Sequence, residues 1–322
     1  MMARSIQGGS GVILVVDVGN SVTNLGLACE GALSSAWSVT TPDRLTADEA
    51  LLCVKSFLQV RGCDAKVRDA IVSSVVPGLT DAWVEALHVL CGVRPLVVGP
   101  GLKSGLKLHL NSPADFGADR VADCVAAKQL YGFPLIVVDF GTATTLEVID
   151  DAGVVQGGLI APGLRLAARA VADAAAQLPV IGLHTPRSVI GKSTRDAMQA
   201  GIVIGEVARI DGLIQAVWDE LGYETRGGAP PPPPPAGGGG WPPHEGWAPP
   251  RPSGGGRPRV PAPPPAGPPP GGGPPRVNPP RAGPPAPHAQ AMAGLSRRIE
   301  VADDQLTLKG LILLHQKNRK AR

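Results

Sequence analysis

The chain has 322 residues, 43% of them hydrophobic and only 3% aromatic, so it can bury two cores, and these must be built from Val, Leu, Ile and Ala. Its net charge of +3 comes from one stretch, residues 226–298, with eight Arg against a single acid, Glu245; the remainder is mildly acidic, which argues against a nucleic-acid groove. No apolar run approaches the ~18 residues of a membrane span, residues 1–10 do not read as a signal peptide, and the five scattered cysteines, none at C-x-x-C spacing, read as reduced thiols of a soluble cytoplasmic protein.

In chain order, Val12–Val16 is an unbroken aliphatic run that predicts a buried strand. Leu25–Cys29 and Leu33–Thr40 come next as strands two and three of a meander. Ala47–Val60 has helical apolar spacing, Ala70–Val76 is strand-like up to Pro77–Gly78, Thr80–Leu90 reads as a helix and Pro95–Val98 as a short strand. The pattern then restarts. Phe116–Leu130 is helical, Leu135–Val138 is a buried strand, Thr145–Ile149 and Val154–Ile160 are strands turning at Asp151–Gly153, and Gly163–Ala176 and Thr194–Leu221 are Ala-rich helices. Leu306, Leu308, Leu311 and Leu314 give a last helical stripe.

Each half opens with an aliphatic strand running into an Asp-x-Gly loop, Asp17–Asn20 and Asp139–Thr142, which reads as a duplicated α/β lobe. The expected division is a first lobe over 11–112, a second over 113–224 with 299–322, and a Pro/Gly-rich segment at 225–298. Between 230 and 287 lie 26 of the 35 prolines, a composition that predicts disorder or polyproline structure. A G+C-rich gene read out of frame would produce it, and so would a disrupted insertion.

The loops suit phosphate chemistry. Gly19 lets the backbone turn and approach an anion, and successive N–H groups there can face phosphate oxygens, with Ser21, Thr23 and Asn24 as neutral donors. Asp17 would repel a phosphate unless a cation or water lay between them. Asp139 with Gly141, Thr142, Thr144 and Thr145 repeats this chemistry, and two facing loops would clamp a polyphosphate. Ile190–Ser193 resembles the end of a Walker loop but has Pro186 where the first glycine is required. The six His show no paired metal spacing. Asp119, beside Arg120 at a helix start, is a candidate base; the same spacing equally describes, and more commonly marks, a first-turn acid with a salt-bridge partner.

Several long motifs stand in order: Asp17-Val-Gly-Asn-Ser, Ser73-Ser-Val-Val-Pro77, Gly101-Leu-Lys-Ser-Gly105, Gly117-Ala-Asp-Arg120, Val138-Asp-Phe-Gly-Thr-Ala-Thr-Thr145, Gly157-Gly-Leu-Ile-Ala-Pro-Gly163, Pro186-Arg-Ser-Val-Ile-Gly-Lys-Ser-Thr194 and Ala197-Met-Gln-Ala-Gly201. Together they resemble the type III pantothenate kinases over residues 12–224 and again at about 299–318. The resemblance implies a duplicated actin-like, ribonuclease H-like fold with mixed sheets flanked by helices. It implies a cytoplasmic homodimer that moves the γ-phosphate of ATP, with Mg2+, to the hydroxyl of pantothenate. The product is 4'-phosphopantothenate, the first step of coenzyme A synthesis, and a monovalent cation (K+ or NH4+) assists. No nucleic-acid or membrane partner is implied.

Carried over by position, the first ATP loop is Asp17, Val18, Gly19, Asn20, Ser21, Val22, Thr23 and Asn24, with Thr142 a second ATP contact. Asp119 becomes the base, Gly117, Ala118, Asp119, Arg120 and Thr194 contact pantothenate, and Asp139 holds the monovalent cation. The sequence departs from the family at Leu110, where many members have a substrate-contacting tyrosine, and at 225–298, where the family has a strand and a Gly-Gly turn over the adenosine end. A catalytically impaired relative with a binding or transcription-accessory role is the second expectation. A scaffold docking through the prolines at 230–235, with Trp241 and Trp247 as anchors, is a third.

Overall fold

Strand β1 (Val12–Val18) is buried along almost its whole length because it is flanked on both edges and covered on both faces. A computed structural model describes residues 11–60, 67–175, 178–225 and 288–319. β1 pairs antiparallel with β2 (Val22–Cys29), which pairs antiparallel with β3 (Ala32–Thr40), the predicted meander. On its other edge β1 pairs parallel with β4 (Val67–Ser74), reached through helix α1 (Ala47–Val60). Helix α2 (Pro77–Cys91) then leads to the two-residue β5 (Leu96–Val97), giving the order β3-β2-β1-β4-β5.

Local chemistry sets these boundaries. At α1 the Thr46 hydroxyl accepts the Glu49 N–H (3.2 Å) while Glu49 Oε2 accepts the Thr46 N–H (2.8 Å), a reciprocal capping box. Helix α2 opens on Pro77, whose missing N–H costs nothing in a first turn, and stops at Gly92, whose φ of 72° is left-handed.

The second sheet repeats the meander. β7 (Leu135–Phe140), β8 (Ala143–Ile149) and β9 (Val154–Pro162) pair antiparallel, and β6 (Lys107–Leu108) adds parallel to β9, in the order β6-β9-β8-β7. The sequence reading missed β6, two residues too short for a periodic signal. Helices α4 (Leu164–Ala174) and α5 (Thr194–Leu221) cover one face of this sheet, with Ile210 and Ile214 against Leu146. Helix α3 (Ala118–Tyr131) covers the other, with Cys124 and Ala127 against Leu135 and Val137.

Helix α7 (Leu306–Asn318) crosses α3, and together they cover the inner face of the first sheet through Ala122, Leu308, Leu311 and Leu314 against Val15 and Ile71. The crossing is close: a side-chain carbon at Gly310 would lie 2.0 Å from the Ala122 carbonyl oxygen. The chain is therefore an α/β protein in layers: α1 and α2, the first sheet, α3 with α7, the second sheet, then α4 and α5.

The described residues fall in one compact unit; most of the Pro-rich reading for 225–298 lies outside them. Its far end needs correction. Helix α6 (His288–Ala293) lies inside that stretch, with Met292 buried against Leu164 and Val203, because proline gives way there to Ala, Gln and Met. Among the described residues, no helix is long and apolar enough to cross a membrane.

Candidate active site

The two Asp-x-Gly loops stand at equivalent strand ends, one on each sheet. At the end of β1, the Gly19 N–H donates to the Val22 carbonyl (3.1 Å); at the end of β7, the Gly141 N–H donates to the Ala143 carbonyl (3.1 Å). A side chain at Gly19 would meet the Val22 carbonyl at 2.8 Å, so that turn needs glycine for lack of room; one at Gly141 would press more mildly, 3.0 Å from an Asp139 carboxylate oxygen. The loops touch: Ser21 Oγ and Thr142 Oγ1 are 2.9 Å apart.

The first loop is braced from behind. The Thr41 hydroxyl donates to the Gly19 carbonyl (2.8 Å), the Thr41 N–H donates to the Ser21 carbonyl (3.0 Å), and the Thr41 and Thr23 hydroxyls lie 2.9 Å apart. Thr41 went unrecognised in the sequence because it lies a full hairpin away. Val18 points into the core and Asn20 and Ser21 into solvent, while Asn24 Oδ1 accepts the Ser38 hydroxyl (2.7 Å). The second loop has Thr144 beneath it, fully buried and donating to Glu206 Oε1 (2.6 Å), with Arg209 paired to Glu206.

Four carboxylates gather at these loops: Asp17 from β1, Asp119 and Asp123 from α3, and Asp139 from β7. Asp119 and Asp123 are one turn apart and share a helix face. Asp17 is only 8% exposed, and its pKa is pushed up to about 7, first by burial and then by the Asp119 charge; the polar side chains of Ser73 and Asn24 pull the other way. Asp123, also buried, is raised well above the usual carboxylate range by burial and by Asp139, and Asp139 is raised to about 6 by withdrawal from bulk water and by Asp119. The Asp139 side chain nevertheless keeps an exposed fraction, so solvent screens part of this shift.

Arg120 does not pair with its neighbour Asp119, as first-turn spacing had suggested. Its guanidinium forks onto Glu147 of β8 (Nε–Oε1 2.5 Å, Nη2–Oε2 2.7 Å) and lies over the Phe116 ring at 4.4 Å. Burial raises the pKa of Glu147, which is 1% exposed, while Arg120 opposes that shift. Asp119, half-buried, accepts the backbone N–H of Arg120 at 2.7 Å, and its charge is felt by Asp17 and Asp139 in the cleft as well as by the Arg120 guanidinium. Gly117 caps α3 where a side chain would strike Asp119 Oδ1 at 2.5 Å, and Ala118 packs inward. Thr194 stands apart, exposed in the first turn of α5 beside its Ser193 cap.

Among the described residues, no group of three or more His, Cys, Asp or Glu could cage a metal. Asp17 Oδ1 is, however, buried without a hydrogen-bond partner. One such oxygen fits a magnesium ion that keeps its waters and takes most of its ligands from phosphates.

Residues 13–216 match the type III pantothenate kinase family. A type III pantothenate kinase of Bacillus cytotoxicus is 41% identical over 214 residues, 66% of this chain and 82% of that one. Another from Listeria innocua is 42% identical over 208 residues, 63% and 79% of the two chains. A solved structure described as a Baf family transcriptional activator from Campylobacter jejuni overlaps 62% of this chain and 78% of its own, at 19% identity and a TM-score of 0.40. By the family match and these identities over four-fifths of the relatives' length, the chain belongs to the type III pantothenate kinase family.

Proposed function

We propose that this protein phosphorylates the hydroxyl of pantothenate with ATP, giving 4'-phosphopantothenate for coenzyme A synthesis. The observation that carries the reading is the meeting of the two loops, with Asp119 facing the cleft where they join. Gly19, Asn20, Ser21 and Val22 supply backbone N–H groups for phosphate oxygens, Thr23 and Asn24 hold the loop's shape, and Thr142 closes on the phosphates from the second sheet.

Asp119 accepts the pantothenate hydroxyl proton as the hydroxyl oxygen attacks the γ-phosphorus, the bond from that phosphorus to the bridging oxygen breaks, and ADP leaves. In-line transfer of this kind needs positioning and charge neutralisation and forms no covalent enzyme intermediate. Gly117 and Ala118 bring pantothenate up to Asp119, Arg120, held in place by its fork onto Glu147, fixes that wall, and Thr194 adds a further pantothenate contact. Asp17 would hold Mg2+ through its unpartnered oxygen, the ion screening phosphate charge when bound. Asp139 would hold K+ or NH4+ on the opposite loop. A cytoplasmic homodimer is part of the same reading.

The intact loops and acids favour a working kinase over the impaired, regulatory relative. The test is ATP-dependent formation of 4'-phosphopantothenate by the full chain, with Asp119→Asn as control. No product, or equal product from both, overturns the reading.

A further inference from the structure

Helix α5 buries Val203, Val207 and Ile210 against α4 and the second sheet, and Glu206 falls on the same face at helical spacing. Glu206 is only 5% exposed. A carboxylate there costs more to bury than the aliphatic side chain such a face ordinarily carries, so its place follows from what its oxygens hold.

The two oxygens hold different strands. Oε1 accepts the Thr144 hydroxyl (2.6 Å), and Oε2 pairs with Arg209, one turn along, whose Nη2 donates to the Pro162 carbonyl (2.7 Å). Thr144 and Pro162 border the second loop. Thr144 stands on β8 two residues after Thr142, and Pro162 lies opposite Ala143 at the end of β9. The next residue, Gly163, donates its N–H to the Thr142 carbonyl (3.2 Å) and sits so close that a side-chain carbon there would meet that oxygen at 2.6 Å. Glu206 thus reaches Thr142 by two routes, through Thr144 on β8 and through Arg209, Pro162 and Gly163 on β9. The first loop has the neutral Thr41 hydroxyl as its brace; the second is tied to a charge pair on a helix.

We propose that Glu206 is a positioning residue for ATP: it touches no phosphate and sets where Thr142 stands. The proposal rests on the kinase reading for its ligand. Glu206→Gln keeps the size of the side chain but has one acceptor oxygen, so it can accept from Thr144 or from Arg209 and not from both.

Steady-state kinetics of the full chain test this. Glu206→Gln is expected to raise the KM for ATP roughly three- to tenfold, as Thr142→Ala does, the size of one misplaced hydrogen bond. The kcat and the KM for pantothenate should stay within about twofold, a split that a general loosening of the fold would not give. In a Thr142→Ala background the same substitution should add less than about twofold, because its effect runs through Thr142. Thr144→Val removes the hydroxyl, keeps the branched shape and should give the same split, which also covers a Glu206 variant that does not fold. Arg169→Ala, which breaks an exposed pair with Asp173 on α4, should change none of these values. An unchanged KM for ATP, an equal rise in both KM values, or a full effect in the Thr142→Ala background overturns the proposal. If the unsubstituted chain turns over no pantothenate, the kinase reading fails, and the dissociation constant for ATP, read by calorimetry, replaces KM: the same ratio upholds the positioning role and an unchanged constant overturns it.

Discussion

Ser21 Oγ and Thr142 Oγ1, from equivalent loops of the two sheets, lie 2.9 Å apart across the cleft. Both side chains are exposed, so the contact adds little to folding; its place is where a polyphosphate would bridge the sheets. Ser21→Ala and Thr142→Ala are each expected to raise the KM for ATP roughly three- to tenfold, the range for one modest hydrogen bond. Because the hydroxyls act as a pair, the double variant should lose less than the product of the single losses. Steady-state kinetics at varied ATP check this, and strictly multiplicative effects would show that the pair does not act together.

Asp119→Asn keeps the side-chain shape and its bond to the Arg120 N–H but removes the carboxylate that we propose as the base. The expected kcat falls roughly 10²- to 10⁴-fold, with the KM for pantothenate changed by less than about threefold. A loss seen in KM alone would assign Asp119 to binding.

Asp17 makes stability and activity oppose each other. Its folded pKa of about 7 lies above the ordinary 3.8, so between those values the folded chain holds a proton that the unfolded chain has released. Its contribution is therefore greatest below about pH 4 and is lost as pH rises to 7, by about 4 kcal/mol over the window. Asp17→Asn should melt several degrees higher than the parent at pH 8, match it more closely at pH 5, and lack kinase activity. Melting curves at the two pH values check it; an equal shift at both would show that the carboxylate is not protonated in the fold.

The Arg120–Glu147 fork is mostly out of water, so breaking one side strands a buried charge. Glu147→Ala is expected to cost about 3 kcal/mol, and Arg120→Ala less, since neutral Glu147 can exist at its raised pKa. Denaturant unfolding measures both.

The loops, the meanders and most helices were legible in the sequence because each depends on neighbours along the chain: an aliphatic run, a glycine turn, a 3.6-residue stripe. The Arg120–Glu147 fork was not. A first-turn acid beside an arginine looks like an ion pair until the tertiary fold offers Glu147 a strand away. Thr41 and Asp123 were missed for the same reason, since their roles come from what the opposite element presents. Thr194 was singled out by resemblance, and its exposed position in α5 could not be read from spacing.

Gly310 sits where α7 presses onto α3, and Gly310→Ala is expected to cost about 1–3 kcal/mol, lowering the melting temperature by several degrees while leaving the acid cluster in place.

That contact also sets a timetable for synthesis. Every strand of the first sheet lies before residue 100, yet one of its faces is covered by residues 306–318. A ribosome must therefore read through the whole proline-rich stretch while Val15 and Ile71 still lack part of their cover. The earliest-made half of the protein is the one that waits longest to close, and during that wait it is the half most exposed to aggregation and to chaperones.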